Sequence, residues 1–337
     1  MPRFLTLIFC FFLFAQASPA QSLTERYYKK GVEFQEKAIY SRAIDYYTEV
    51  LNHEPQHVEA RYNRAVVYFE IKEYRKALFD VRTLLEAHPM DPDLHSLTGL
   101  IYAKLKEPDE AIRYINRALE IQDEPIFHLR KADILLQNKQ PELAFKELYT
   151  ALEDPDLEPS ILELRAIAYV DLHQPNQAIG TYTHLINLNP RPEYYYNRGL
   201  LRRRIKDVAG ACNDFKEASK EPFFEEALEA LIHCQWEQND TAAVEATGKN
   251  GIIHFPNNPT FYLFSGLAAL RKGKSKLAVK WFNKAEQLGL KSAEVYINKG
   301  LALLQYDKQK AKEAFLLALK IDATNKVARH NLDLLGY

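Results

Sequence analysis

The chain is poor in the residues that staple small folds or carry common chemistry. It has 3 cysteines and 2 tryptophans in 337 residues, and one cysteine, Cys10, sits in an apolar run at the start. The other two, Cys212 and Cys234, are too few for a disulfide framework, although in an oxidising compartment they could still pair. Charge of one sign is also lacking, with 44 Lys and Arg against 45 Asp and Glu. Such a balance is no footprint for nucleic acid. No apolar run approaches the roughly 20 residues that cross a bilayer. No glycine- or proline-rich linker divides the chain, and no G-x-S-x-G nucleophile turn occurs.

The first residues read as an export signal. Met1-Pro-Arg3 is a weakly positive head, Leu5 to Phe14 is apolar, and small residues precede candidate cleavage points after Ala17 or Ala20. Loss of residues 1–20 removes Arg3 and leaves 43 basic and 45 acidic residues, a formal charge of −2. The expected location is exported, periplasmic or extracellular, in a host expected to be bacterial.

What is present is a period. Gly31, Ala65, Gly99, Ala132, Ala166, Gly199, Gly266 and Gly300 follow one another at 34, 34, 33, 34, 33, 67 and 34 residues. The gap of 67 is close to two periods and holds one degenerate unit. A period of this size denotes stacked helical pairs. In the second unit, Ala65 is small enough for a neighbouring helix to approach, and Tyr68 fills the space beside it. Lys72 to Arg75 is a polar turn, Ala77, Val81 and Leu84 form the second stripe, and Pro89 stops the helix.

These residues resemble the tetratricopeptide repeat family, whose unit places a small residue, an aromatic, an alanine, an aromatic and a proline at fixed positions. The first unit has Gly31, Phe34, Ala43, Tyr47 and Pro55; the fifth has Ala166, Tyr169, Ala178, Tyr182 and Pro190. The sixth has Arg202 where an aromatic is usual, and the ninth has a turn one residue short. The resemblance implies an all-α, right-handed α-solenoid of about nine helix–turn–helix units. Their expected bounds are 24–57, 58–91, 92–124, 125–158, 159–191, 192–225, a degenerate 226–258, 259–292 and 293–325. In the degenerate unit Ala230 and Ala242 are the expected anchors, and Gly248 to Gly251 is expected to cut its second helix short. Residues 326–337 are expected to cap the array, with Val327, His330, Leu332 and Leu335 at helical spacing.

The resemblance also implies a non-catalytic scaffold that binds another protein, as an extended peptide or a helix, on a concave face lined by the first helices. It implies no cofactor, no small-molecule substrate, no nucleic acid and no membrane span in the mature chain. The candidate contacts are Tyr62 and Asn63, Tyr196 and Asn197, and Asn298, because an amide pairs with any peptide bond and a tyrosine adds area. Arg203 and Arg204 belong to a basic spot with Arg198 and Arg202. That spot could grip carboxylates or be neutralised by Asp207, Asp214 or Glu217. The family's two-carboxylate clamp is not reproduced: Tyr28, Val32, Asp93 and Leu97 stand at its other places, and Asn63 alone matches.

Three motifs look chemical. His53-Glu54-Pro-Gln-His57 has the letters of a zinc-hydrolase helix, but Pro55 ends the helix between the histidines, so no metal site is expected. Ala268 to Ser275 loosely fits a phosphate loop, yet Gly273-Lys-Ser falls at an interhelical turn. Asn239-Asp-Thr241 fits a glycan acceptor. A metal-dependent hydrolase and a self-assembling array are the alternatives to a scaffold.

Overall fold

The computed structural model describes residues 19–220 and 224–336. The expected signal lies outside them, apart from residues 19 and 20, which open the first helix. The chain divides into two compact units, residues 1–164 and 165–337.

The first unit holds four helical pairs: α1 (Pro19–Glu36) with α2 (Tyr40–His53), α3 (Val58–Glu70) with α4 (Tyr74–Ala87), α5 (Pro92–Lys104) with α6 (Pro108–Ile121), and α7 (Pro125–Gln137) with α8 (Pro141–Ala151). The boundary falls inside α9 (Glu158–Asp171). The second unit continues with α10 (Pro175–Leu188), α11 (Pro192–Arg204), α12 (Val208–Ala218), α13 (Glu225–Glu237), α14 (Thr241–His254), α15 (Pro259–Arg271) and α16 (Ser275–Gln287). It closes with α17 (Ala293–Leu303), α18 (Lys308–Ile321) and α19 (Lys326–Leu334). The described residues thus form an all-α solenoid of nine helical pairs and one terminal helix, with no strand.

The pairs are built alike because the same residue sizes recur at the same places. Ala65, Gly99, Ala132, Gly199, Gly266 and Gly300 are each the eighth residue of a first helix. The fourth residue of a second helix is Ala43, Ala77, Ala111, Ala144, Ala178, Ala211, Ala278 or Ala311, all fully buried. The glycines answer bulk on the partner helix. A Cβ on Gly199 would lie 2.7 Å from the Phe215 ring, and one on Gly266 would lie 2.5 Å from Phe282. Glycine lets the backbone approach an aromatic ring that alanine would push away.

The turn inside each pair has its own signature. Ala38, Lys72, Lys106, Lys139, His173, Lys206 and Asn239 all adopt positive φ, between 55° and 67°, and Gly273 stands at the eighth such turn. The amide two steps into the turn reaches back five residues, as Glu73 N does to Tyr68 O at 2.8 Å and Asp207 N to Arg202 O at 2.9 Å. This is the left-handed helix-ending motif that satisfies the last carbonyls. The ninth turn, one residue shorter, lacks it; Asp307 N bonds to Leu303 O instead.

The seventh pair departs from expectation in an informative way. Ala242 is exposed and Ala230 only half-buried, so neither is the anchor. The equivalent places are Ile232, eighth in α13, and Val244, fourth in α14, both fully buried. Opposite Ile232 stands Gly248, eighth in α14, where other second helices carry Tyr, Phe or an aliphatic residue. Large and small have exchanged helices, and Ile232 Cδ1 sits 3.6 Å from where a Gly248 Cβ would be. Gly248 and Gly251 do not end α14, which runs its full 14 residues. Both are buried inside it, and a Cβ on Gly251 would lie 2.2 Å from the Phe261 ring. Burial against α15 outweighs the helix-weakening tendency of two glycines.

Cys212 of α12 and Cys234 of α13 are joined, with Cα atoms 5.6 Å apart, which ties the sixth pair to the seventh. The terminal helix begins at an Asn325 cap whose side chain accepts from Ala328 N at 3.1 Å. It covers Phe315 and Ala318 with Ala328, Leu332 and Leu335, so two residues of the expected stripe face inward while Val327 and His330 face solvent.

Candidate functional site

Two tripeptides recur at the fifth to seventh places of a first helix, Tyr62-Asn63-Arg64 in α3 and Tyr196-Asn197-Arg198 in α11. The arginine of each is the structural member. Arg64 grips Asp80 of α4 with two hydrogen bonds, Nε to Oδ2 at 2.8 Å and Nη2 to Oδ1 at 2.7 Å. Its third nitrogen, Nη1, donates to Thr48 Oγ1 of α2 at 3.1 Å. Arg198 repeats the device on Asp214 of α12 at 3.0 and 2.7 Å and on Thr183 of α10 at 2.9 Å. Each arginine therefore locks its own pair and the preceding helix together. Burial works against the Arg64 charge, but the Asp80 carboxylate outweighs it and holds the guanidinium above its ordinary pKa.

The basic spot is largely neutralised by these contacts. Arg202 Nη1 also donates to Asp214, at 2.9 Å, and Arg203 pairs closely with Glu237. Glu217, a candidate partner for the arginines, pairs with Lys220 instead. Arg204 is exposed and has no ion pair among the described residues.

The tyrosines are less available than expected. Tyr62 packs into the apolar layer beneath α3 and α5, and burial followed by the charge of Asp93 raises its hydroxyl pKa. Tyr196 lies against the rings of Phe215 and Phe224, with centroids 5.9 and 5.0 Å away. Asn63 Nδ2 donates to the Tyr28 hydroxyl at 3.2 Å, linking the first two pairs. Asn298 turns its amide back to Glu294 O of its own helix at 2.9 Å. Asn197 is half-exposed, and its amide has no hydrogen bond among the described residues.

The family models for the tetratricopeptide repeat match residues 40–101 and 93–125. The chain carries tetratricopeptide repeats over residues 40–125. A TPR repeat-containing protein of Methanocaldococcus jannaschii is 23% identical over 88% of this chain and 55% of its own length. Photosystem I assembly protein Ycf3 of Prochlorococcus marinus is 35% identical over 23% of this chain and 47% of its own. The chain thus spans about half the length of these curated relatives. Among solved structures, that of PilW, a type IV pilus biogenesis factor, superposes with a TM-score of 0.56 at 18% identity, covering 61% of this chain and 96% of that one. This likeness concerns the fold.

Tetratricopeptide repeats imply a protein–protein interaction scaffold, and the inner places of this one differ from the two-carboxylate clamp. At the clamp's places, Tyr28 receives the Asn63 amide, and Asp93 lies 4.0 Å from Arg130, whose Nη1 donates to Ser96 Oγ at 2.6 Å. Burial, before the opposing charge of Asp93, lowers the Arg130 pKa, while burial raises that of Asp93. These polar groups hold one another rather than standing ready as a bare cationic clamp.

The chemical-looking motifs do not assemble. His53 ends α2, and His57 caps α3 by accepting from Ala60 N at 3.3 Å, so the two are not one turn apart on a helix. Among the described residues no group of three His, Cys, Asp or Glu could hold a metal. Gly273 is a turn residue with φ 71°, and Ser275 Oγ is spent on Gln305 Oε1 at 2.7 Å. No helix among the described residues is long and apolar enough to cross a membrane.

Pairing of the basic spot with Asp214 is one of the two readings that the sequence offers, whereas the Arg64–Asp80 link was not anticipated. The trace of both links in the sequence is the repeated Tyr-Asn-Arg, with an aspartate 16 residues after each arginine.

Proposed function

We propose that this protein is a non-catalytic, exported scaffold that holds an extended peptide or a helix of a partner protein along the face lined by its first helices. The observation that supports this most is the recurrence of Asn63 and Asn197 beside their locked arginines. The buried arginine fixes the helix, and the adjacent amide is presented at the same place in two repeats. An amide that both donates and accepts suits a peptide backbone of any sequence. Asn197 is the freer of the two, and Asn63 must release Tyr28 to engage. The character of residues 1–20 supports the exported location.

Cross-linking in intact cells, followed by capture, tests the reading. Asn197→Ala should leave the melting temperature unchanged and reduce capture of the partner, and Asn63→Ala with Asn197→Ala should reduce it further. Undiminished capture by the double variant would remove these amides from the interface.

A further inference from the structure

The near-neutral total conceals a separation of charge. Residues 1–164 hold 20 Lys and Arg against 27 Asp and Glu, whereas residues 165–337 hold 24 against 18. From residue 246 onward the count is 15 against 6. Part of this excess is absorbed locally: Lys299 pairs with Glu286 at 2.8 Å, Lys310 with Asp307 at 3.0 Å and Lys249 with Glu245 at 3.1 Å.

A set of lysines remains outside these pairs, and it is arranged rather than scattered. Lys276, Lys280 and Lys284 are every fourth residue of α16. They lie opposite the buried stripe of Ala278, Phe282 and Ala285, and none makes an ion pair among the described residues. Lys276 Nζ lies 5.9 Å from the centre of the Tyr306 ring, which joins this row to the turn that opens α18. There Lys308 and Lys320 are exposed and likewise outside any ion pair among the described residues. Apolar side chains open to solvent accompany the lysines: Leu277 is 38% exposed, Leu316 48%, Leu317 41% and Ile321 51%.

We propose that the outward face of α16 and α18 docks the protein on an anionic phospholipid bilayer, lysines against headgroups and the leucines at the acyl boundary. Flexible ammonium groups beside exposed leucines are what an anionic interface attracts and buries. A nucleic acid is disfavoured by two features. The row contains no arginine to make forked phosphate or base contacts, and nucleic acid would leave the leucines in water. The interaction is independent of the partner face on the first helices.

Sedimentation with vesicles tests it, comparing pure phosphatidylcholine with phosphatidylcholine containing phosphatidylglycerol. The readout is the increment due to anionic lipid, which cancels any apolar binding common to both vesicle types. Each lysine removed should lower that increment about fivefold. Lys276→Gln, Lys280→Gln and Lys284→Gln together should lower it roughly a hundredfold with an unchanged melting curve. On the unaltered chain the increment should vanish in about 0.5 M salt, where screening is short-ranged, and Leu316→Ser with Leu317→Ser should weaken binding that survives at low salt. Equal binding to both vesicle types, indifference to salt, or wild-type partitioning by the triple variant would each overturn the proposal. So would a DNA duplex that competes the protein off the vesicles through the same lysines.

Discussion

At the residue scale, the left-handed turns show how far tertiary demand can override local preference. Positive φ is unfavourable for residues with a Cβ, yet seven of them adopt it, four of them lysines. The helix-ending hydrogen bonds require that backbone, and the neighbouring helices hold it. Lys72→Gly, Lys106→Gly and Lys206→Gly should therefore each stabilise the fold by about 0.5–1 kcal/mol, seen as a higher melting temperature. A fall at all three would mean that the lysine stems contribute packing that outweighs the backbone strain. The reverse experiment is Gly266→Leu, which drives a branched side chain into the Phe282 ring and should cost roughly 1–3 kcal/mol or more. The anchors outside the seventh pair were legible, because small residues at a fixed interval have one physical use. The left-handed backbone at Ala38, Lys72, Lys106, Lys139, His173 and Lys206 was not, since Lys, His and Ala carry no signal for it.

Among elements, the buried arginine–aspartate links are the places where one substitution strands a charge. Asp80 and Asp214 are almost wholly buried, at 0% and 2% exposure. Asp80→Ala leaves the Arg64 guanidinium buried without its partner and should cost about 3–5 kcal/mol. Arg64→Leu with Asp80→Leu should cost clearly less than Asp80→Ala alone, since no stranded charge remains. Denaturant melts of the two variants decide the matter. Asp214→Ala should cost a similar amount, because each aspartate serves two arginines, Arg61 and Arg64 at Asp80 and Arg198 and Arg202 at Asp214. Reducing the Cys212–Cys234 bond should cost about 2–4 kcal/mol, read from melts with and without reductant. Sequence pattern located Arg198 and its acidic neighbours but left open whether they faced each other or a ligand. That question depends on which turns of two helices meet. The seventh pair stayed illegible for a related reason. A search for a small residue on the first helix passes over Ile232, and only the facing helix shows that Gly248 supplies the missing space.

For the molecule as a whole, the terminal helix and the charge distribution matter most. Deleting residues 326–337 uncovers Phe315 and Ala318, which α19 shields. The shortened chain should melt at lower temperature and aggregate at concentrations where the intact chain stays clear in light scattering. The number of helical pairs was legible from the period, because one interval sets one hairpin. The charge division was hidden by summation, since a composition count discards order along the chain. Its practical consequence is chromatographic. A protein of pI about 6.8 is ordinarily expected to pass weakly through ion exchangers near neutral pH. Retention, however, follows local fields rather than the total. An excess of acid before residue 165 and of base after residue 245 should let the same molecule bind both a quaternary-amine resin and a sulfonate resin at pH 7.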